Sequence, residues 1–131
     1  MEIANSRRRA KILSFRDLIA WQKAMDLADM IYDLTENFPK REHYGLAYQL
    51  RKSAVSIPSN IAEGHGRENT GSFVQHLRIA QGSLKELETQ ALLCRRNGFS
   101  DAAATDALVA STGEIGKMLR ALIRSLQASR G

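Results

Sequence analysis

The sequence predicts a single all-α domain, an antiparallel four-helix bundle with up-down-up-down order. Three observations lead to this prediction. Apolar residues recur at steps of three and four along four long segments, turn-forming residues separate these segments, and no segment of useful length alternates as a strand would. A chain of 131 residues, 44% hydrophobic and 25% charged, is also sufficient for one folded core.

The first helix is predicted from about Asp17 to Asn37. Its apolar stripe consists of Leu18, Trp21, Met25, Ala28 and Ile31 or Tyr32. Pro39 should end the helix, because proline disfavours helical geometry in the residue before it.

The second helix is predicted to begin between Glu42 and Tyr44 and to end near Glu63. Its stripe consists of Ala47, Leu50, Ala54, Ile57 and Ile61. Pro58 lies inside this stripe and removes one backbone donor, which predicts a kink rather than two separate helices. Gly64 and Gly66 are the expected terminators.

The third helix has the most regular pattern. Its seam runs through three heptads: Phe73, Leu77, Ala80, Leu84, Leu87, Ala91 and Cys94. Asn69 or Thr70 should cap its beginning, and Asn97-Gly98 should close its end.

The fourth helix is predicted to start after Ser100 as the cap, with Asp101 in its first turn. Its seam consists of Leu108, Thr112, Ile115, Leu119, Leu122 and Leu126. Short connections between four long helices favour antiparallel neighbours.

Small and apolar residues outside these stripes predict a second packing face. They are Gly82, Ala103, Ala107, Ala110, Gly113 and Gly116, with Leu27, Ile79, Leu92 and Met118. Two interpretations stay open at this point: the face joins subunits, or the glycines are tolerated and the apolar residues widen the core.

Positive charge is concentrated at the N-terminus. Residues 1–16 carry five basic and one acidic side chain, whereas residues 17–131 carry 14 basic and 13 acidic. We therefore divide the chain into a basic arm, residues 1–14, and a bundle domain, residues 15–128. The arm either contacts phosphate backbones or is a solvated tail. The candidate nucleic-acid contacts are Arg7, Arg8, Arg9, Lys11 and Arg16, with Lys40, Arg41, Arg51 and Lys52 as a second patch.

Catalytic, metal-binding and cofactor-binding patterns are not found in the sequence. His43, His65 and His76 lack the spacing of helical metal ligands, and Cys94 continues an apolar seam. No stretch has the length of a membrane span or the pattern of a signal peptide, so we expect a cytoplasmic, non-enzymatic protein without a cofactor.

Three strings carry a resemblance to a known family. They are FRDLIAWQKA from Phe15, SIPSNIAEG from Ser56 and AQGSLKELETQ from Ala80. The segment from Phe15 to Phe99 resembles the bacterial four helix bundle protein family, also called the 23S rRNA intervening-sequence protein family. The accessory variability determinants of diversity-generating retroelements are a related group.

The resemblance implies a ring-like homo-oligomer, typically a pentamer, and supplies no catalytic residues. The related group binds nucleic acid and a reverse transcriptase. From the charges and the resemblance together we expect a homo-oligomer that binds nucleic acid through backbone electrostatics, with RNA slightly favoured over DNA. A scaffold whose partner is another protein is the alternative.

Overall fold

The protein is described by a computed structural model over residues 14–130. Its four helices are α1 (Ile19–Glu36), α2 (Leu46–Gly66), α3 (Thr70–Arg96) and α4 (Ala102–Arg130). Two short 3-10 helices, Phe15–Asp17 and Lys40–Glu42, precede α1 and α2. No strand occurs within residues 14–130, so the prediction of an all-α four-helix bundle is confirmed.

Each helix packs against the next one in the chain, and α1 also contacts α4, which places α1 diagonally across from α3. Residues of α2 and α3 pair in opposite order: Asn60 contacts His76, whereas the earlier Ser56 contacts the later Ser83. Such pairing favours antiparallel neighbours. The up-down-up-down order and the kink at Pro58 stay predictions.

The core follows the predicted seams closely in α3 and α4. In α3 the seam is buried from Leu77 to Cys94, while Phe73 is half-buried. In α4 the buried positions include Thr112 and Ile115, and Ile123 is buried where Leu122 was expected. Leu122 packs against the core from a half-buried position.

The predicted stripe of α1 is confirmed at Ala28 and at Ile31, the first of its two alternatives, and is wrong at Met25. Met25 is 41% exposed and Tyr32 is 47% exposed, whereas Leu27, which the pattern left outside the stripe, is fully buried. The buried residues are Ala20, Ala24, Leu27, Ala28, Ile31 and Thr35. Their spacing is also helical, and the small alanines let the neighbouring helices approach closely.

The predicted end of the second helix is corrected. Gly64 and Gly66 lie inside α2, and the left-handed conformation that follows the helix falls on Glu68, with φ of 54°. Gly64 is buried because α3 passes so close: a Cβ atom on Gly64 would lie 2.7 Å from the Cβ atom of His76. The glycine is therefore a packing residue rather than a terminator.

Of the two predicted N-terminal caps, the one of α3 is confirmed and the one of α4 is wrong. Asn69 Oδ1 accepts a hydrogen bond from the Ser72 amide at 2.9 Å and caps α3 as predicted. Asp101, not Ser100, caps α4, because its Oδ1 accepts from the Ala104 amide at 2.8 Å. Ser100 instead hydrogen-bonds the hydroxyl group of Thr105.

The residues predicted to form a second packing face divide between the surface and the core. Ile79 and Leu92 of α3 are about half exposed, at 47% and 49%, and Gly82 between them has open space where a Cβ atom would stand. Leu27 belongs to the core, and Met118 packs partly against it. No helix within the described range combines the length and the hydrophobicity that crossing a membrane requires.

Candidate nucleic-acid interface

The N-terminal candidates divide at Ser14. Arg7, Arg8, Arg9 and Lys11 lie outside the described residues. Arg16 is exposed in the 3-10 helix before α1, and its guanidinium lies 5.9 Å from the ring centroid of Phe15. Its charge is thus available to solvent at the end of the bundle where α1 begins.

Lys40 and Arg41 are exposed in the loop between α1 and α2. The acid of the same 3-10 helix, Glu42, is already used: its Oε1 accepts a hydrogen bond from the Leu46 amide at 3.3 Å. A carboxylate at the beginning of a helix is held by the free amides and the helix dipole. The loop therefore presents positive charge outward.

Tyr44 is a residue that the sequence patterns did not identify. It follows Lys40 and Arg41 in the same loop, and it is 94% exposed. An exposed aromatic ring beside cations is the combination that stacks on an unpaired base while the cations contact its phosphates. Its position outside every apolar stripe was the available signal.

Arg51 faces α1, whereas Lys52 faces a groove between α2 and α3. The Nε atom of Arg51 donates to Thr35 Oγ1 at 2.8 Å, and its guanidinium lies 4.9 Å from the centroid of the Tyr32 ring. Arg51 thereby joins α2 to α1. Lys52 is exposed and lines a small groove between α2 and α3, whose opposite wall includes Glu86.

The predicted contacts do not form one patch. Arg16 precedes α1 and Lys40 follows it, so the 18 residues of α1 separate them by about 27 Å at 1.5 Å per residue. A single nucleic-acid molecule that touches both ends must span that length. On one strand of a duplex this corresponds to about eight phosphates.

A second group of cations lines the groove between α3 and α4, which we call the α3–α4 groove. Its two adjoining hollows have volumes of about 350 and 190 Å³ and share Gln81 and Arg120. Five cations line it: Arg78, Lys85, Lys117, Arg120 and Arg124. Across the two helices they are 32 to 46 residues apart in sequence (Lys85 to Lys117 and Arg78 to Arg124), so no local sequence pattern grouped them.

The outer face of α1 has the opposite charge. Its exposed carboxylates are Asp26, Asp29, Asp33 and Glu36. Lys23, the lysine of this helix, pairs with Glu114 of α4 at 3.7 Å. Because α1 lies diagonally across from α3, the acidic face and the α3–α4 groove point in different directions.

The contact between α2 and α3 contains a chain of hydrogen bonds. His76 Nδ1 is 3.0 Å from Asn60 Oδ1, and Asn60 Nδ2 donates to the carbonyl and hydroxyl oxygens of Ser56. Ser56 Oγ is in turn 2.8 Å from Ser83 Oγ. Three of these four residues fall within the strings SIPSNIAEG and AQGSLKELETQ, whose polar residues here hold two helices together.

The thiol of Cys94 is not set up for chemistry. The side chain is fully buried, and desolvation raises its pKa to about 11, with the Glu42 carboxylate contributing further. A thiol with such a pKa is protonated at neutral pH and is a poor nucleophile. Within residues 14–130 no three His, Cys, Asp or Glu side chains cluster as metal ligands would.

The fold and the surfaces define a class: a small helical-bundle protein with tightly packed helices and separate acidic and basic faces. The sequence model of the 23S rRNA-intervening sequence proteins matches residues 16–121. The chain belongs to that family, as the three strings predicted.

A solved structure supports the same fold. The chain is similar to a protein with unknown function from the S23 ribosomal protein family of Bacteroides thetaiotaomicron VPI-5482, with a TM-score of 0.72 and 23% sequence identity. The similarity covers 80% of this chain and 98% of the other. A comparison with curated proteins finds no match.

Proposed function

We propose that this protein is a non-enzymatic homo-oligomer that binds nucleic acid, with RNA preferred, through contacts to the phosphate backbone. The observation that carries the proposal is the α1–α2 loop, where Lys40, Arg41 and the 94% exposed Tyr44 lie together. The family description, which refers to an intervening sequence of 23S rRNA, favours RNA. The cations of the N-terminal arm and Arg16 would add contacts at the opposite end.

Binding of this kind is electrostatic and selects little sequence. Each cation that neutralises a phosphate releases counterions, so the affinity falls as salt rises. Stacking on Tyr44 needs an unpaired base, which single-stranded or looped RNA provides and a duplex does not. The mode therefore favours RNA with unpaired segments over duplex DNA.

The experiment is fluorescence anisotropy with looped RNA and with duplex DNA, each titrated at two salt concentrations. Replacing Tyr44 by alanine should weaken RNA binding by about 1 to 3 kcal/mol and leave duplex binding nearly unchanged. Tyr48→Ala is the matched control, because Tyr48 is a half-exposed tyrosine of α2 outside the loop. A wild-type protein that binds neither ligand at low salt refutes the proposal.

Deletion of residues 1–12 tests the arm separately. The arm contributes four of the cations that we assign to binding, Arg7, Arg8, Arg9 and Lys11. Their loss should reduce the slope of log affinity against log salt by up to about three on single-stranded RNA. Equal affinity of the shortened and full-length chains would count against the arm.

Exposed apolar side chains support the homo-oligomer and also the alternative of a protein scaffold. A groove of about 390 Å³ between α1 and α2 is lined by Trp21, Met25, Tyr32 and Val55 among others. The pentamer expected from the family resemblance would cover such surfaces. Light scattering coupled to gel filtration measures the subunit number, and Val55→Asp should lower it.

The absence of catalysis and a cytoplasmic location are parts of the same proposal. The buried thiol of Cys94 supports the first of these, because desolvation raises its pKa to about 11 and a protonated thiol is not an activated nucleophile. A protein partner that co-purifies, combined with no nucleic-acid binding at low salt, would instead favour the scaffold.

A further inference from the structure

We infer that the α3–α4 groove is a binding site for a phosphodiester backbone, separate from the α1–α2 loop. The inference rests on the proposed function and adds to it a second, defined contact surface. It assigns roles to Arg78, Lys85, Lys117, Arg120 and Arg124, and the occupant is one strand of nucleic acid lying along the groove.

The charges of the groove are available to a ligand. Within residues 14–130 the ion pairs are Lys23 with Glu114 and Arg67 with Glu63, so none of the five groove cations is neutralised there. One carboxylate, Glu88, lines the wider hollow, and it accepts a hydrogen bond from Thr112 Oγ1 at 3.4 Å. The groove thus keeps a net positive charge, strongest on the side away from Glu88.

The floor of the groove lets a backbone approach. Gly113 and Gly116 of α4 line the wider hollow, and a Cβ atom on Gly113 would meet nothing within 4 Å. A Cβ atom on Gly116 would meet the side chain of Arg120, at 3.5 Å from Nη1. The cationic side chains therefore line a groove whose floor is open and not packed against another residue.

The dimensions fit a short run of phosphates. Arg78 and Lys85 are seven residues apart on α3, and Lys117 and Arg124 are seven apart on α4, so each pair spans about 10 Å. One strand of a duplex carries a phosphate for every ~3.4 Å of axis, and about three phosphates fit that length. Gln81 and Gln127 place amide donors along the same path.

The groove also lies near the root of the basic arm. Lys23, in the second turn of α1, pairs with Glu114 near the middle of α4, so with the antiparallel packing predicted for these helices the beginning of α1 lies beside the second half of α4. Arg120 and Arg124 belong to that half. A strand seated in the groove would leave toward the end of the bundle at which residues 1–14 join it.

A competing occupant is the acidic face of α1 from a second copy. Its four carboxylates complement the groove in charge, and glycines also permit close helix contact. We favour nucleic acid because the five cations surround a hollow rather than an apolar seam. The subunit number of groove variants distinguishes the two occupants.

The test uses a substitution that blocks the groove without changing its charge. Gly113→Leu adds a side chain to the floor, and Gly82→Leu is the matched control, since Gly82 is an exposed helical glycine with the same open space outside the groove. Both proteins should fold, because leucine is a better helix former than glycine. We expect Gly113→Leu to weaken RNA binding about tenfold and Gly82→Leu to leave it unchanged.

A charge variant gives a second readout. Arg120→Gln combined with Arg124→Gln should lower the slope of log affinity against log salt by about 1.4 to 1.8, the loss of two phosphate contacts. Arg95→Gln with Arg96→Gln removes the same charge from the exposed end of α3 and should change the slope far less.

Three results would overturn the inference, and they differ from one another. If wild-type protein binds RNA and the Gly113 and Gly82 variants bind equally well, the groove is not the site, although the proposed function stands. If neither the wild-type protein nor any variant binds nucleic acid, the proposed function fails too. If Gly113→Leu changes the subunit number while RNA affinity per subunit is kept, a second copy occupies the groove.

Discussion

The α2–α3 contact and the α3–α4 groove use similar residues for opposite purposes. Between α2 and α3, Gly64 lies against His76 and the polar side chains bond one another. Between α3 and α4, Gly113 faces open space and the cations have no ion-pair partner within residues 14–130. The role of a glycine or a polar residue on a helix therefore cannot be inferred from its type alone. The atoms within 4 Å of it decide whether it packs against a neighbouring helix or stays open to a ligand.

This difference also bears on the strings that identify the family. SIPSNIAEG contains Ser56, Asn60 and Gly64, which all lie at the closed contact between α2 and α3. The groove cations of α4, in contrast, lie outside all three strings. In this chain those residues of SIPSNIAEG explain the fold. The other two strings also contain proposed nucleic-acid contacts, Arg16 and Lys85.

The largest effect on stability should come from adding a side-chain atom at Gly64, where α2 and α3 are already in contact. Gly64→Ala places a Cβ atom 2.7 Å from the Cβ atom of His76 and 3.0 Å from Phe73 Cδ1, so α3 must shift. We expect a loss of about 2 kcal/mol or more in the free energy of unfolding, measured by urea denaturation. Unchanged stability would mean that α2 and α3 are not closely packed at this point.

Breaking the hydrogen-bond chain should have a somewhat smaller effect. Asn60→Ala removes the partner of His76 Nδ1 and two donations to Ser56, and we expect a loss of about 1 to 2 kcal/mol in the same measurement. Gln75→Ala, at an exposed polar position of α3, is the control. Equal effects of the two substitutions would show that the chain adds no stability.

A substitution in the open α3–α4 groove should instead increase the free energy of unfolding. Gly113→Ala meets no neighbour within 4 Å and gives the helix a better former, so we expect a gain of about 0.5 to 1 kcal/mol in unfolding free energy. The comparison with Gly64→Ala is direct, because both change the same residue type inside a helix. A loss of stability here would contradict an open groove.

The smallest effect should come from the ion pair between α1 and α4. The side chains of Lys23 and Glu114 are about half exposed, at 46% and 53%, and Lys23 Nζ lies 3.7 Å from Glu114 Oε1. Such pairs contribute little after solvent screening, so Lys23→Ala should change the unfolding free energy by less than about 0.5 kcal/mol. A thermal melt at low and at high salt checks both the size and the electrostatic origin.

The helices themselves could be predicted because their periodicity is local information. The α3 seam from Leu77 to Cys94 needed no tertiary knowledge, and the Asn69 cap is a feature of its own turn. In α1 two helical stripes overlap: both contain Ala28 and Ile31, and the large side chain of Met25 suggested the exposed one. The choice depends on how closely α2 and α4 approach, which the sequence of α1 alone does not contain.

The surfaces were harder to predict for the same reason. Gly64 looked like a terminator because glycine commonly follows helices, and only the passage of α3 beside it makes it a contact residue. The groove combines residues from two helices, so no single segment of the sequence could predict it. Lys40 and Arg41 were recognised as neighbours in sequence, whereas the exposure of Tyr44 required the loop conformation.

The separation of charge between α1 and the α3–α4 side has a consequence before any contact forms. A molecule with carboxylates on one face and cations on another experiences a torque in the field of a polyanion, so it rotates as it diffuses inward. At physiological salt this field extends only about 8 Å from the surface, which confines the reorientation to the last step of the encounter. The acidic helix thereby favours approaches in which α1 points away from the nucleic acid, and it influences the association rate without touching the ligand.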